Sequence, residues 1–310
     1  MDGPATVPQR PLGKGGGTVS ALAFSIDPGP AAPAADRETL ELLRRSLAAG
    51  VTTFDVSGSR QPDRAERLLG AAGTSAGPLT VLLGRSEERW RPAADRKGDA
   101  GAPPGVSAES LESSLARSRA RLPHGTRFVL RVEPDEEPHE LADPSSAPTG
   151  PDAVAIARPV SETARAVGAA GLWTSPLSLL DHDVVRRWGA TTAADGGRLI
   201  ALDPFAGGRL DGTRFASGLA DRPAAREPRS LRQLHAEFDP VLRLEFLTRG
   251  RPRTLAQASL EFALSFPWVA TVVAPLPHAD RLEEFLAAAR GPGLPDADRD
   301  RVLALGRSPG

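Results

Sequence analysis

The sequence predicts a single α/β domain folded as a closed (β/α)8 barrel, the TIM-barrel architecture. Three observations predict it: short apolar, β-branched runs alternate with amphipathic helical runs, eight such runs occur, and the 310-residue length suits one barrel. Because crossover helices separate the strands, we expect a parallel sheet that closes on itself. The expected strands span residues 19–25, 52–57, 79–84, 127–132, 153–157, 171–175, 198–203 and 269–274.

The predicted helices carry recognisable end signals. The stretch 36–50 ends at Gly50, a residue that favours helix termination, and its leucines repeat on one face. The stretch 107–122 begins with only a partial capping box at Ser107, whereas the stretch 254–266 opens on Thr254, a preferred N-cap residue. These signals support alternating helices around the barrel.

Three Pro-rich, charged segments interrupt this pattern within the single domain of residues 1–310. The segment 133–152, between the fourth and fifth strands, has room for little more than one helical turn. We therefore expect a shortened fourth helix. We expect flexible loops near 87–106, 133–152 and 213–230.

Composition excludes several function classes. The chain has 38 basic and 39 acidic residues and a net charge of −1, so no global field favours nucleic acid or an anionic membrane. The absence of Cys excludes disulfides, thiolate nucleophiles and cysteine metal sites, and no His/Asp/Glu spacing predicts a metal site. No signal peptide or apolar run of about 18 residues is evident, which predicts a cytoplasmic protein. The oligomeric state stays open.

Two further absences concern reactive side chains. The chain contains no Tyr, and its only lysines are Lys14 and Lys97. Replacement of Lys by Arg in a GC-rich genome would explain the few lysines. It would not explain the missing tyrosines.

Several ordered blocks resemble a known barrel family. They include the stretch FDVSGSR, with Asp55 at a strand end, and the stretch FAGGRLDG at 205–212. The chain resembles the aldo-keto reductases over nearly its whole length, which implies their barrel fold and, as an expectation, NADP-dependent carbonyl reduction. The blocks span residues 10–25, 42–70, 199–212 and 254–286.

The resemblance also implies a catalytic tetrad of Asp, Tyr, Lys and His, in which Tyr protonates the reduced carbonyl. Carried over by position, the Asp is Asp55, whereas the Tyr falls on Arg60, the Lys on Arg85 and the His on or beside Val132. Arginine stays protonated near neutral pH and cannot act as a general acid. We expect Asp55 and Arg85 to form an ion pair, which could be structural or could bind substrate.

The cofactor positions that the resemblance implies are altered in the same way. Residues that hold or stack on nicotinamide fall on Arg158, Thr174 and Leu202, and a neighbouring Ser falls on Asp203. In the last loop, a Gly, an Arg and an Asn fall on Pro275, Pro277 and Phe285. We therefore expect no cofactor, although NADP stays possible.

Any chemistry should lie at the carboxyl ends of the barrel strands. Arginines and carboxylates that converge there favour a polar or anionic small-molecule ligand, with a salt-bridge network that satisfies itself as the alternative. The acid–base candidates are Asp55, Asp203 and Glu133. The candidates for binding a ligand are Arg60, Arg85, Arg158, Thr174 and Trp90.

Three functional hypotheses follow from this site. The favoured one is a redox-neutral enzyme of lyase, isomerase or cyclase type, in which carboxylates move the proton and arginines hold the substrate. The second is an NADP-dependent reductase whose chemistry has been relocated. The third is a non-catalytic binding or partner subunit.

Overall fold

Eight parallel strands close into a barrel in the computed structural model. The structure describes residues 5–13, 17–74, 77–84, 108–132, 152–157, 171–194, 196–213 and 238–305. A hairpin of two short antiparallel strands precedes the barrel: β1 (Gln9–Pro11) and β2 (Thr18–Ser20). The barrel strands are β3 (Leu22–Ser25), β4 (Thr53–Asp55), β5 (Thr80–Leu83), β6 (Arg127–Val132), β7 (Ala153–Ala157), β8 (Leu172–Pro176), β9 (Arg198–Leu202) and β10 (Val269–Pro275).

The strands follow one another in chain order around the barrel, and β10 pairs with β3 to close it. Helices lie between strands and after the last one. The described helices are α1 (Pro33–Ala48), α2 (Pro62–Ala72), α3 (Ala108–Arg121), α4 (Asp183–Ala194), α5 (Leu255–Leu264), α6 (Leu282–Arg290) and α7 (Asp296–Leu305), with a 3-10 turn at Glu245–Leu247. The predicted fold class is confirmed.

The element bounds agree closely with the prediction except at the first strand. The predicted strand 19–25 is divided at Ala21, whose N–H donates to the Pro8 carbonyl at 2.8 Å, so its first residues belong to the hairpin. The predicted short fourth helix, Ser107 and almost all of the three predicted loops lie outside the described residues.

The helix-end signals behave as expected where they are described. Thr254 caps α5 in a complete capping box, because its side chain accepts the Gln257 N–H and the Gln257 side chain accepts the Thr254 N–H. Gly50 follows the end of α1 at φ 88°, a left-handed conformation that glycine adopts without a steric penalty.

Two hydrophobic cores result from the alternation of side chains along each strand. Ala23, Val129 and Ile200 belong to a cluster inside the barrel, whereas Phe24 and Phe54 belong to the larger cluster between the strands and the helices. Successive strand residues point to opposite faces, so each strand contributes to both cores.

The hairpin closes the end of the barrel at which the strands begin. Leu12 and Val19 join the interior cluster, and Arg10 donates to the carbonyls of Leu264 (2.8 Å) and Val269 (3.0 Å). These bonds supply donors near the end of α5, where helix carbonyls lack partners. Burial lowers the pKa of Arg10. The open end, called the mouth below, is therefore at the carboxyl ends of the strands.

Candidate functional site at the barrel mouth

Among the described residues, Asp55 is the best-positioned ionisable residue at the mouth. It is the last residue of β4 and only 5% exposed. Its Oδ1 accepts the Ser57 N–H at 2.7 Å, and its Oδ2 lies 3.6 Å from Nη1 of Arg131. The short turn after β4 therefore holds one carboxylate oxygen, and a cation from β6 faces the other.

Arg131 reaches this position because of strand alternation. Val129, two residues earlier on β6, lies inside the barrel, so Arg131 points to the same face at the mouth. Its Nη1 also donates to Ser57 Oγ. Asp55, Ser57 and Arg131, which we call the mouth cluster, thus form a connected polar group.

Gly84 explains why Ser57 fits beside the neighbouring strand. A Cβ atom at Gly84 would lie 2.6 Å from the Ser57 Cβ and 2.9 Å from the Ser57 carbonyl oxygen. Any other residue at this position would displace the turn that holds Asp55. The glycine is therefore part of how the mouth cluster is assembled.

Arg131 was not among the site residues predicted from the sequence. The tetrad His position was placed on or beside Val132, and Arg131 is the residue next to it. Counting in steps of two from the apolar Val129 would have placed residue 131 inside the barrel. The predicted partner of Asp55, Arg85, lies outside the described residues, so that ion pair stays a prediction.

Arg60 lies at the rim of the mouth, and its ion-pair partner is Asp27 and not Asp55. Its side chain is 78% exposed, and its Nε donates to Asp27 Oδ2 at 2.9 Å. Gln61 and Arg64 donate to the Gly29 carbonyl at 2.6 and 2.8 Å. Together these bonds tie the loop after β3 to the start of α2, which gives Arg60 a structural contact at the rim.

Asp203 is exposed and stabilises a turn. It follows β9 in the left-handed conformation at φ 46°, and its Oδ1 accepts the Gly207 N–H at 2.8 Å. Ala206 is also left-handed, at φ 51°. The structure describes no contact between Asp203 and the mouth cluster.

Thr174 lies deeper than the other candidates that the structure describes. It is fully buried on β8, in register with Ile200 of β9. Its Oγ1 has no hydrogen-bond partner among the residues that the structure describes. The remaining candidates lie outside those residues, and their roles stay predictions: Glu133, Arg85, Arg158 and Trp90.

The loops after β9 and β10 are joined by an ion-pair network around Arg281. Its Nε lies 2.9 Å from Glu284, and its Nη1 donates to the Asp211 carbonyl at 2.9 Å, with the Asp211 carboxylate 4.0 Å away. The hydrogen bond with Glu284 raises the pKa of Arg281. Burial opposes the ionisation of Glu284, but hydrogen bonds from Arg281 and Thr254 outweigh it and lower the pKa of Glu284.

Apolar residues occupy four of the positions that the resemblance to aldo-keto reductases assigns to cofactor binding. Phe285 is buried with its ring centroid 5.0 Å from that of Phe205. Pro275 is exposed in register with Ser25, and Pro277 is buried. Leu202 packs against the interior cluster. Phe285 therefore belongs to the core between α6 and the barrel.

The described part of the chain has neither a metal-binding cluster nor a membrane-spanning helix. It contains no group of three or more His, Asp or Glu residues placed to hold a metal ion. None of its helices combines the length and the apolar character that a membrane crossing requires.

Comparisons with known proteins establish the fold. No protein-family model and no curated protein sequence matches the chain. Among solved structures, the aldo-keto reductase AKR11C1 from Bacillus halodurans in its holo form gives a TM-score of 0.65 at 19% identity, over 96% of both chains. The thermostable aldo-keto reductase Tm1743, in complex with the inhibitor epalrestat, gives 0.65 at 16% identity, over 96% of this chain and 100% of that one. The chain therefore has the barrel fold of the aldo-keto reductases.

Proposed function

We propose that this protein is an enzyme that transfers protons without hydride transfer, of lyase, isomerase or cyclase type, on a polar or anionic small molecule. Asp55 is the acid–base residue, and Arg131 and Ser57 position it. The observation that carries the proposal is the mouth cluster: a buried carboxylate held by a cation and a backbone N–H at a strand end, where barrel enzymes place their chemistry.

The chain's residues argue against carbonyl reduction by the chemistry that the fold implies. Reduction needs a proton delivered as hydride arrives, and the chain has no Tyr to supply it. Arg60 cannot replace it, because a guanidinium does not release a proton near neutral pH and this one is exposed and paired with Asp27.

The described loops also do not fit the phosphates of a dinucleotide. The segments after β9 and β10 carry the carboxylates of Asp203, Asp211 and Glu284, and the guanidinium of Arg281 is already paired with the last two. Like charges brought close together repel, so bound phosphates would meet unfavourable electrostatics. The ring of Phe285 packs against Phe205 in the core. These features support a function without NADP.

A reductase remains the second candidate, because the similar structures are aldo-keto reductases and one of them was solved in a holo form. NADPH titration followed by nicotinamide fluorescence separates the two candidates. We expect no binding at millimolar NADPH. Saturable binding together with aldehyde-dependent NADPH oxidation would establish the reductase instead.

The catalytic proposal is tested by incubating the protein with a panel of small hydroxy acids, keto acids and sugar phosphates and following turnover by NMR. We expect at least one compound to be converted without a redox partner. Asp55→Asn should lower that rate by about 100-fold or more, the usual contribution of a general acid or base.

The matched control is Asp300→Asn, which removes an exposed carboxylate on α7 far along the chain from the mouth cluster. It should leave the rate unchanged. An unaffected rate in Asp55→Asn would remove the proposed acid–base residue. A panel with no turnover at all would favour a non-catalytic binding or partner subunit.

A further inference from the structure

Two buried threonine hydroxyls lie on the strands that flank β9. Thr174 of β8 and Thr271 of β10 are each 0% exposed, and neither Oγ1 has a hydrogen-bond partner among the residues that the structure describes. Both residues pair in register with Ile200 of β9. They therefore lie two strands apart in one hydrogen-bonded row of the barrel sheet.

Both hydroxyls lie inside the barrel. Ile200 belongs to the interior cluster, and residues in register on neighbouring strands point to the same face. Leu172, two residues before Thr174, and Val273, two residues after Thr271, belong to the same cluster. The two side chains are thus enclosed by the apolar interior.

The surroundings supply a further polar group and small side chains. The register between β9 and β10 shifts between Val269 and Thr271, and a bulge of this kind leaves the backbone of the extra residue, Ala270, outside the regular ladder. The interior cluster also contains Ala23 and Ala155, where barrel interiors more often carry bulky branched residues.

Burying these hydroxyls without any hydrogen-bond partner would be unfavourable. A buried hydroxyl that makes no hydrogen bond loses its hydration without compensation, and such groups in native proteins usually contact an ordered water. An ion is disfavoured, because an apolar interior does not compensate a charge. The ligand chemistry that fits is a small, neutral group that both donates and accepts hydrogen bonds.

We propose that one or two ordered water molecules occupy the barrel interior between Thr174 and Thr271. Neighbouring strands are about 4.8 Å apart, so strands that flank a third are about 9.6 Å apart at the backbone. Side chains that point into a barrel converge, and one water spans about 5.5 Å between two bonded oxygens. The site is independent of the reaction at the mouth.

The first test uses the wild-type chain and does not depend on any variant folding. In a high-resolution crystal structure, an ordered oxygen should lie within hydrogen-bonding distance of Thr174 Oγ1, Thr271 Oγ1 or both. In solution, the methyl groups of both residues should show cross-relaxation with a long-lived water. An interior without ordered water would overturn the proposal.

The second test uses the sign of a stability change. Thr174→Val and Thr271→Val keep the side-chain shape but remove the hydroxyl, so each should lower the urea midpoint if the hydroxyl binds water. In a dry interior, the same changes would remove an unsatisfied group and leave the midpoint unchanged or higher. That result would overturn the proposal.

The matched control is Thr53→Val on β4. Thr53 is equally buried, but its Oγ1 accepts the Ser20 N–H at 3.1 Å, so its hydroxyl has a protein partner. Loss of the Thr53 hydroxyl should lower the urea midpoint. The size of this decrease shows what the loss of a hydrogen-bonded hydroxyl costs in this barrel. Agreement in sign between all three variants supports the hydrated site.

Discussion

At the scale of single residues, the mouth cluster depends on one cation facing one buried carboxylate. The Asp55 carboxylate is 6% exposed and the Arg131 side chain 17%, so solvent screens the pair only in part. Bringing two charges out of water is costly, and removing one partner leaves the other uncompensated. The pair should therefore be more sensitive to single substitution than an exposed ion pair.

We predict that Arg131→Met lowers the free energy of unfolding by about 2 kcal/mol, because it leaves the Asp55 carboxylate without its cation. The double variant Arg131→Met with Asp55→Asn should recover part of that loss, since the uncompensated charge is gone. Urea unfolding of the single and double variants measures the coupling directly.

Arg60→Met is the control, because Arg60 forms an exposed pair with Asp27. Its effect on stability should stay within about 0.5 kcal/mol. Additive losses in the Arg131 and Asp55 variants would mean that the two side chains do not interact energetically.

The same residues show where sequence reasoning succeeds and where it ends. Asp55 could be chosen because an acidic residue at the end of an apolar strand must lie at the barrel mouth. Its partner could not be chosen by alignment with a distant family, because a shift of one residue on β6 reverses which face a side chain occupies. The role of Asp203 could not be predicted either, because its turn depends on a left-handed backbone at Asp203 and Ala206, and most aspartates and alanines do not adopt that conformation.

At the scale of elements, α2 and α3 approach each other closely enough to require a glycine. A Cβ at Gly70 of α2 would lie 2.0 Å from the Arg121 carbonyl oxygen of α3, a backbone atom that cannot move alone. Nearby, the fully buried Glu66 accepts from Ser118 Oγ and Arg121 Nη1, each at 2.9 Å. Close contact and a buried ion pair therefore fix this helix pair.

We predict that Gly70→Ala lowers the free energy of unfolding by about 3 kcal/mol, because separating the helices to admit a methyl group also strains the bonds to Glu66. Alanine's higher helix propensity, worth up to about 1 kcal/mol, is too small to offset this. The midpoint of urea unfolding is the measurement.

Gly58→Ala provides the control, because nothing lies within 4 Å of a Cβ at Gly58. We expect a change within about 0.5 kcal/mol. If Gly70→Ala were as stable as wild type, the helices would not be in the close contact described here.

Element positions were more predictable than element contacts. Barrel strands are short, apolar and regularly spaced, so their bounds follow from the sequence pattern, as the full agreement at residues 127–132 and 153–157 illustrates. The division of the first predicted strand at Ala21 could not be predicted, because the hairpin strand and the first barrel strand form one continuous apolar run in the sequence. The approach at Gly70 depends on a carbonyl 51 residues away, which no local pattern encodes.

At the scale of the whole molecule, polar networks join segments that are distant in the sequence. Arg10 fixes the hairpin at one end. Arg251 and Arg253 contact Asp298 of α7, and Arg253 also contacts Glu261 of α5 at 2.8 Å. Hydrogen bonds from Arg251 lower the pKa of Asp298 despite its burial. Loss of this carboxylate's charge should weaken the fold only at strongly acidic pH, near or below its ordinary pKa of about 4.

Between pH 7.5 and 5.5, a different residue should control global stability. His182 follows β8, is 6% exposed, and packs edge-on against Phe262 of α5 with ring centroids 5.8 Å apart. Burial lowers the pKa of His182, and the charge of Arg186 adds to this effect. The unfolded chain, with a His pKa of about 6.5, therefore takes up a proton more readily than the folded protein.

We predict that the free energy of unfolding falls as pH decreases through about 6.5, by at most about 1.4 kcal/mol per pH unit from this residue. The stability that neutral His182 supports is fully present above its unfolded pKa and is lost below it. His182→Phe keeps a ring against Phe262 but cannot titrate, so its stability should change less over this range, whereas His124→Gln, at an exposed position, should follow wild type. Urea unfolding at pH 7.5, 6.5 and 5.5 makes the comparison, and parallel curves for wild type and His182→Phe would show that this histidine is not the source of the pH dependence.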